Sequence, residues 1–430
     1  MIASFPLPLP VPPDAREVFG GLASGAAKEQ SAGMGAPRLR PDFDALAPET
    51  FDSPYPLYRE LRARCPVARS DAWGGFWAFM RYEDVSQAAA DAKRFTTTVQ
   101  NVVPKVAFTG RRPPLHFDPP EHTPYRRALN PLFSSERMQS LEEPILAISQ
   151  RLLAPLIAQG RGDICLDFST HLPIQVFALW MNLEDRDAAA LATVGRAFNV
   201  AVQANLDEQV KATSLQLYAL AREVLARRRA EPLDPDLDPT CALLAARDDQ
   251  GRPLPEDLLI GCIRQVLVVG IIAPTVLIGS IAIHLARDQA LQQRLRAEPH
   301  LIPTALEEFL RLYTPYRGFA RTATAPMVCH GRDIRPREPI ALVYPSANRD
   351  EAQFPGGDCF QLDRPNIAQH LAFGRGAHRC PGAPLGRLQL RLALEVLLRD
   401  TRRFHLAGPI VPTRCPEIGA RSVPLSLEPA

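Results

Sequence analysis

The sequence predicts a mainly helical α+β protein, on three observations. Long stretches between residues 137 and 313 repeat apolar residues at helical spacing, short strand-like pieces begin at residue 321, and a last amphipathic helix closes the chain over 383–400. The 430 residues are 46% hydrophobic and 22% charged, enough apolar mass for one large core or two closely joined ones. A formal charge of +2 is too small to imply a nucleic-acid or membrane-surface partner and leaves room only for a local basic patch.

Taken in order, residues 1–40 are rich in Pro, Gly, Ala and Ser without periodicity, which predicts a mobile arm ahead of a single folded domain over 41–430. "SPYPLYRELRARCP" places Leu57 and Leu61 on one helix face, and "GFWAFMRYEDV" has the character of a short strand. A long loop over 96–120 precedes helices expected at 137–159, 184–206, 208–229, 256–285 and 303–313, with "PLDPDLDP" (232–239) as a connecting loop. The strand-like pieces are "RTATAPMVCHGRDI" and "EPIALVYPSA"; a Pro/Gly-rich meander leads from them to the last helix, with Leu385, Leu388 and Leu392 on its apolar face. No internal repeat is present.

One run, "VLVVGIIAPTVLIGSIAI" over 266–283, has no charge for about 18 residues, the length at which a membrane span must be considered. Its internal Pro274, and the lack of a second such segment or an aromatic belt, favour a buried central helix. The start of the chain has no basic leader and its apolar run is broken by prolines, so a cytoplasmic location is expected. The eight cysteines lie mostly in apolar contexts without paired spacing and read as reduced and buried.

Cys380 is different. It follows a glycine turn in "LAFGRGAHRCPGAPLG" (371–386), with His378 two residues before it. If the final helix begins at Cys380, Pro381 takes the first helical position and the sulfur faces the free amides of Gly382 and Ala383, a setting that favours thiolate. Gly374, Gly376 and Gly382 permit a tight bend and the close approach of a flat partner. A dinucleotide fingerprint fails at Arg379, and a zinc site needs more ligands than His378 and Cys380 supply. An idle thiol in a structural turn, a nucleophile with a His base and a metal ligand remain open on the residues alone.

"FGRGAHRCPG" (373–382) resembles the haem-binding signature of the cytochromes P450, Phe-x-x-Gly-x-Arg/His-x-Cys-x-Gly, at Phe373, Gly376, His378, Cys380 and Gly382. Three further motifs of that family follow in order, and the resemblance covers the chain from about residue 51 to its end. "EEFLR" matches the Glu-x-x-Arg pair at Glu308 and Arg311, with Arg364 of "FQLDRPN" as the third member of a structural clamp. "HTPYRR" matches the His-x-x-x-Arg that binds haem propionates at His122 and Arg126, joined by Arg321 in "ARTAT" and by His378. The resemblance implies the cytochrome P450 fold, helix-rich with small β-sheets, and haem b between its I-type and L-type helices. It implies Cys380 as the axial thiolate, lending electron density to the iron and assisting O–O cleavage.

The remaining motif is broken. Where the family's I-type helix carries Ala/Gly-Gly-x-Asp/Glu-Thr, aligning Gly270 with the second position puts Ile272 at the acid and Ala273 at the threonine. Both proton donors are missing. Thr275 is a tentative substitute if Pro274 distorts the helix, substrate groups are another, and "APTV" faintly resembles the peroxide-using branch. By analogy the pocket is lined by 99–108, 197–206, 269–273, 316–319 and 416–419, with Val269, Ile272, Ala273 and Phe319 as substrate-facing candidates and Asn101, Lys105 and Arg317 as the polar ones. Their apolar character suits a hydrophobic small molecule, without a charge that points to one head group. Electrons are expected from a separate ferredoxin and its NAD(P)H-dependent reductase, attracted by Arg127, Arg375, Arg379 and Arg387. The expected activity is that of a soluble, ferredoxin-dependent monooxygenase. Its rivals are a peroxide-driven or oxidative-coupling P450 and a haem-thiolate binder or sensor without catalysis.

Overall fold

A computed structural model describes residues 40–105, 109–204, 206–413 and 416–430. The arm expected over 1–40 lies, apart from Arg40, outside the described residues.

The first part of the chain is mixed. Helices α1 (Pro48–Asp52) and α2 (Tyr55–Arg64) precede the hairpin of β1 (Val67–Ser70) and β2 (Phe76–Phe79), then α3 (Tyr82–Ala90) and the short β3 (Phe95–Thr96). A helical body follows: α4 (Thr123–Leu129), α5 (Ser135–Gln159), β4 (Arg161–Asp163), a π-helical turn (Ile164–Ser169), α6 (Leu172–Trp180), α7 (Asp185–Gln203), α8 (Asp207–Ala230), α9 (Pro239–Ala245), α10 (Glu256–Val269), α11 (Ile272–Arg287), α12 (Gln289–Ala297) and α13 (Ile302–Leu312). The last part holds β5 (Phe319–Ala323), β6 (Met327–Cys329), β7 (Arg332–Ile334), β8 (Pro339–Leu342), α14 (Tyr344–Ala347), α15 (Ala383–Arg399) and β9 to β12 (Thr401–Leu406, Val411–Pro412, Ala420–Ser422, Pro424–Pro429). The mainly α reading holds, with four small sheets among the described residues.

The largest sheet runs β1-β2-β8-β5-β3, parallel only between β2 and β8, and so joins the strands of 67–96 to those of 319–342. Phe79, Phe95, Ile340 and Leu342 pack beneath it in one core cluster. The main core lies among the helices, where Leu385, Leu388 and Leu392 of α15 meet the buried leucines and isoleucines of α5. α5 keeps its 25 residues despite Pro144 and Pro155; Ser134 caps its start by accepting from the Arg137 amide, and Gly160, at φ 65°, ends it in a left-handed turn.

The expected helix over 256–285 is two helices. Pro274 has no N–H to offer the carbonyl four residues earlier, that of Gly270, and the chain breaks at Gly270 and Ile271. Gly270 also abuts Phe177, whose ring would lie 1.6 Å from an added Cβ. The apolar stretch spanning both helices is long enough for a membrane, but 78% of its most apolar window is buried within the protein, as expected for a central core element.

The last helix runs over Ala383–Arg399, close to the expected 383–400; it does not reach back to Cys380, because Pro381 and Gly382 form a turn and it is Pro384 that occupies the first helical turn. The reading of the cysteines changes. The seven described cysteines are all free thiols, but only Cys165, Cys241 and Cys262 are buried; Cys65 and Cys329 are half-buried and Cys359 and Cys380 exposed.

Candidate active site

Gly374 and Gly376 take φ of +67° and +71°, so the loop bends where an L side chain would strain. At Gly376 a Cβ would also lie 2.6 Å from Ala90 Cα, which seats the turn on the end of α3. The Cys380 amide donates to the Phe373 carbonyl at 2.8 Å and closes the loop. Cys380 then precedes α15, and the Gly382 and Ala383 amides point at its sulfur.

Burial nevertheless pushes the Cys380 thiol above its ordinary value; the amides, Arg126 and Arg387 pull it down without prevailing. The helix start alone therefore does not make the thiolate. Cys380 has accessible surface, and burial is still the largest influence on its thiol. A metal cation supplies what this environment lacks, since a coordinating thiol is deprotonated outright.

The loop is held from α13. Glu308 and Arg311 are completely buried, and Arg311 Nε and Nη2 each donate to the Glu308 carboxylate at 2.7 Å. Arg364 Nε adds bonds of 3.1 and 3.2 Å to the same carboxylate. Two cations for one anion leave a surplus charge, which backbone carbonyls absorb: those of Asn348 and Gly357 accept from Arg311 at 2.6 Å, and those of Pro355 and Cys359 accept from Arg364. Next to it, Arg387 of α15 forks onto Glu307 at 2.6 and 2.8 Å, so an arginine expected to face a redox partner instead ties α15 to α13.

A second group of cations collects beside the loop. His122, at the start of α4, is 4% exposed, its Nε2 is buried without a partner, and its ring stands edge-on to that of His378 with centroids 4.7 Å apart. Burial and the neighbouring His378 and Arg126 lower His122 to about 4. His378 Nε2 lies 3.1 Å from Asp118, which also accepts from Thr96 and Thr97. Arg126 Nη1 donates to the Arg379 carbonyl at 2.8 Å. Arg321 on β5 is 5% exposed, yet its guanidinium is bonded only to the carbonyl of the adjacent Ala320, at 2.9 Å, among the contacts of the described residues. The buried Arg321 and the orphaned imidazole nitrogen call for further partners, and among the described residues Asp118 is the carboxylate nearby. A flat metallated macrocycle bearing two carboxylates fits this set.

The helix pair offers no proton. Val269, 50% exposed, and the half-buried Ala273 lie four residues apart across the break, and Ile272 is buried. Thr275 does not replace the missing hydroxyl: it donates to the Ser169 carbonyl at 2.8 Å and the Ile271 carbonyl at 2.9 Å. The distortion falls before Pro274, so α11 is regular from Ile272 and Thr275 stays on the side packed against the π-helical turn. Phe319 is half-buried beside Tyr316, with ring centroids 4.9 Å apart. Arg317, a polar pocket candidate, is buried and spends its guanidinium on the carbonyls of Glu417 and Thr50.

One cleft of about 990 Å³ is lined by Arg59, Arg62, Arg81, Tyr82, Glu351 and Arg375, and neither Cys380 nor the basic groups beside it line that cleft. Sequence reasoning missed a different group, Arg112, His116 and Arg264, whose only signal was one arginine inside the apolar "GCIRQVLVVG".

The fold and the thiol-bearing loop thus define a haem-thiolate oxygenase. A family model for cytochrome P450 matches residues 278–409. The mycinamicin IV hydroxylase/epoxidase of Micromonospora griseorubida is 34% identical over 364 residues, covering 82% of this chain and 89% of that protein. Cytochrome P450 109 of Bacillus spizizenii is 32% identical over 80% of this chain and 84% of its own. The solved structure of CYP109Q5 from Chondromyces apiculatus superposes with a TM-score of 0.81 at 28% identity, covering 90% of this chain and 98% of that one. The chain belongs to the cytochrome P450 family. It is a haem-binding monooxygenase.

Proposed function

We propose that residues 41–430 form one P450 domain in which Cys380 is the axial thiolate and His122, Arg126, Arg321 and His378 receive the haem propionates. Phe373, Gly376 and Gly382 shape the loop, and the Glu308, Arg311 and Arg364 clamp fixes its position. The observation that carries this reading is an accessible thiol with the orphaned His122 Nε2 and the buried, under-partnered Arg321 among the basic groups beside its loop. When bound, the haem supplies dioxygen activation and the insertion of one oxygen atom into substrate.

The substrate is a hydrophobic small molecule lying against Val269, Ala273 and Phe319. Relatives named as a mycinamicin IV hydroxylase/epoxidase, a vitamin D(3) 25-hydroxylase and an epothilone C/D epoxidase support a bulky, largely apolar class. Electrons come from a ferredoxin and its NAD(P)H-dependent reductase, and the enzyme works in the cytoplasm. With Ile272 and Ala273 in place of an acid and a hydroxyl, the proton reaches the site through water or a substrate group. The same apolar face supports a second reading, a peroxide-driven or coupling reaction that needs no such relay.

Cys380→Ser should abolish the strongly red-shifted Soret band of the reduced, carbon-monoxide-treated protein; a band that persists rejects the ligand assignment. Turnover of hydrophobic candidates with NADH, ferredoxin and reductase, against peroxide alone, separates the two readings.

A further inference from the structure

α10 carries a charge where its neighbours are apolar. Arg264 is 1% exposed, its Nη2 donates to Ser214 Oγ of α8 at 2.8 Å, and its guanidinium lies 4.8 Å from the Phe198 ring and 5.9 Å from that of Tyr218. Gln265, the next residue, accepts from Arg112 Nη1 at 3.4 Å, and Arg112 Nη2 lies 3.2 Å from His116 Nε2. Arg264 Nε, Arg112 Nε and the Tyr218 hydroxyl are all buried without a hydrogen-bond partner.

Several buried arginines elsewhere do have a carboxylate partner. Arg311 and Arg364 have Glu308, and Arg228 has Asp238. Among the described residues, no carboxylate pairs with Arg112 or Arg264. Burial and mutual repulsion lower Arg264 to about 9, and the same influences lower His116 to about 3. Burial is the larger cause of both displacements, and the neighbouring arginines add to it.

Part of the cluster reaches a cavity beside the 99–108 segment. Arg112 and His116, with Asn101 and Lys105, line this cavity of about 40 Å³, enough for a carboxylate or a few waters. Arg264 stands one residue before Gln265, the partner of Arg112, and Gln265 lies about one turn of α10 before the exposed Val269. We infer that Arg112, with the buried charge of Arg264 reinforcing it, docks the carboxylate end of a largely apolar substrate while its far end lies against Val269 and Ala273. This rests on the monooxygenase reading and narrows its substrate class to organic acids.

The test uses haem-loaded protein at neutral pH and low salt, with dodecanoate and 1-dodecanol as probes, followed by calorimetry and by the Soret shift. Wild type should bind the acid at least about tenfold more tightly than the alcohol, and Arg112→Gln or Arg264→Met should erase that preference. Arg264→Met should also keep or raise the melting temperature, because it removes an uncompensated buried charge; a merely structural arginine would be missed. Equal affinities, binding of neither probe, or an acid preference that survives both substitutions overturns the inference. Dodecyl phosphate distinguishes carboxylate from phosphate, and tighter binding of the phosphate overturns the carboxylate assignment. The red-shifted carbon monoxide band of wild type separately tests the haem-thiolate reading, while calorimetry reads the acid preference without it.

Discussion

Glu307 shows how one side chain carries a pH dependence. Burial alone would raise its carboxyl, but the hydrogen bonds from Arg387 and His370 prevail and lower it to about 2. A carboxyl depressed in the folded state contributes stability that is fully present above its ordinary value, near 4.5, and lost as pH falls toward 2. The contribution is on the order of 3 kcal/mol. Glu307→Gln should therefore flatten the acid limb of the stability curve between pH 5 and 2, measured by urea unfolding; an unaltered limb would place the acid sensitivity elsewhere. Residues of this kind were only partly legible. Glu308 and Arg311 stand three apart in a recognisable motif, whereas the Arg387 partnership depends on how two distant helices pack.

At the scale of the element, the break between α10 and α11 leaves the one threonine near the motif two residues past the motif's hydroxyl position. Thr275 donates to two carbonyls and steadies the junction, while Ala273 occupies the motif's hydroxyl position without a proton to give. Thr275→Ala should cost about 1 kcal/mol of stability and leave ferredoxin-driven turnover nearly unchanged. Ala273→Thr should raise the fraction of electrons recovered in product; a large activity loss in Thr275→Ala would instead return that hydroxyl to the relay. The long helices were legible from periodicity. The break was visible only as a proline, because its position also depends on Phe177, nearly a hundred residues earlier. α6, "LPIQVFALW", escaped notice for a related reason: it is apolar on nearly every side and shows no 3.6-residue pattern.

For the whole molecule, surface charge is the open question, because three of the four arginines proposed to meet a ferredoxin already have partners. Arg387 holds Glu307, Arg127 faces Asp249 at 3.4 Å and Arg375 donates to Ser86. Arg379 is exposed and directly precedes Cys380. Arg379→Glu should slow ferredoxin reduction at low ionic strength, with the loss fading as salt is added, and should leave the haem spectrum intact. A rate that does not depend on this charge moves the docking surface elsewhere. The family was legible because its motifs fix residue type and spacing together. The meeting of Arg112, His116 and Arg264 was not, since it arises only when the loop before α4 closes over α8 and α10.

The Glu308 clamp has a consequence for maturation. Arg311 and Arg364 are bonded to carbonyls scattered from residue 348 to 359, a stretch with little regular structure of its own. The clamp helps to shape that stretch, and the sulfur-bearing loop lies some way beyond it. Because every bond of the clamp is made within the protein, haem-free protein should keep this stretch protected, which hydrogen exchange of the apoprotein would check.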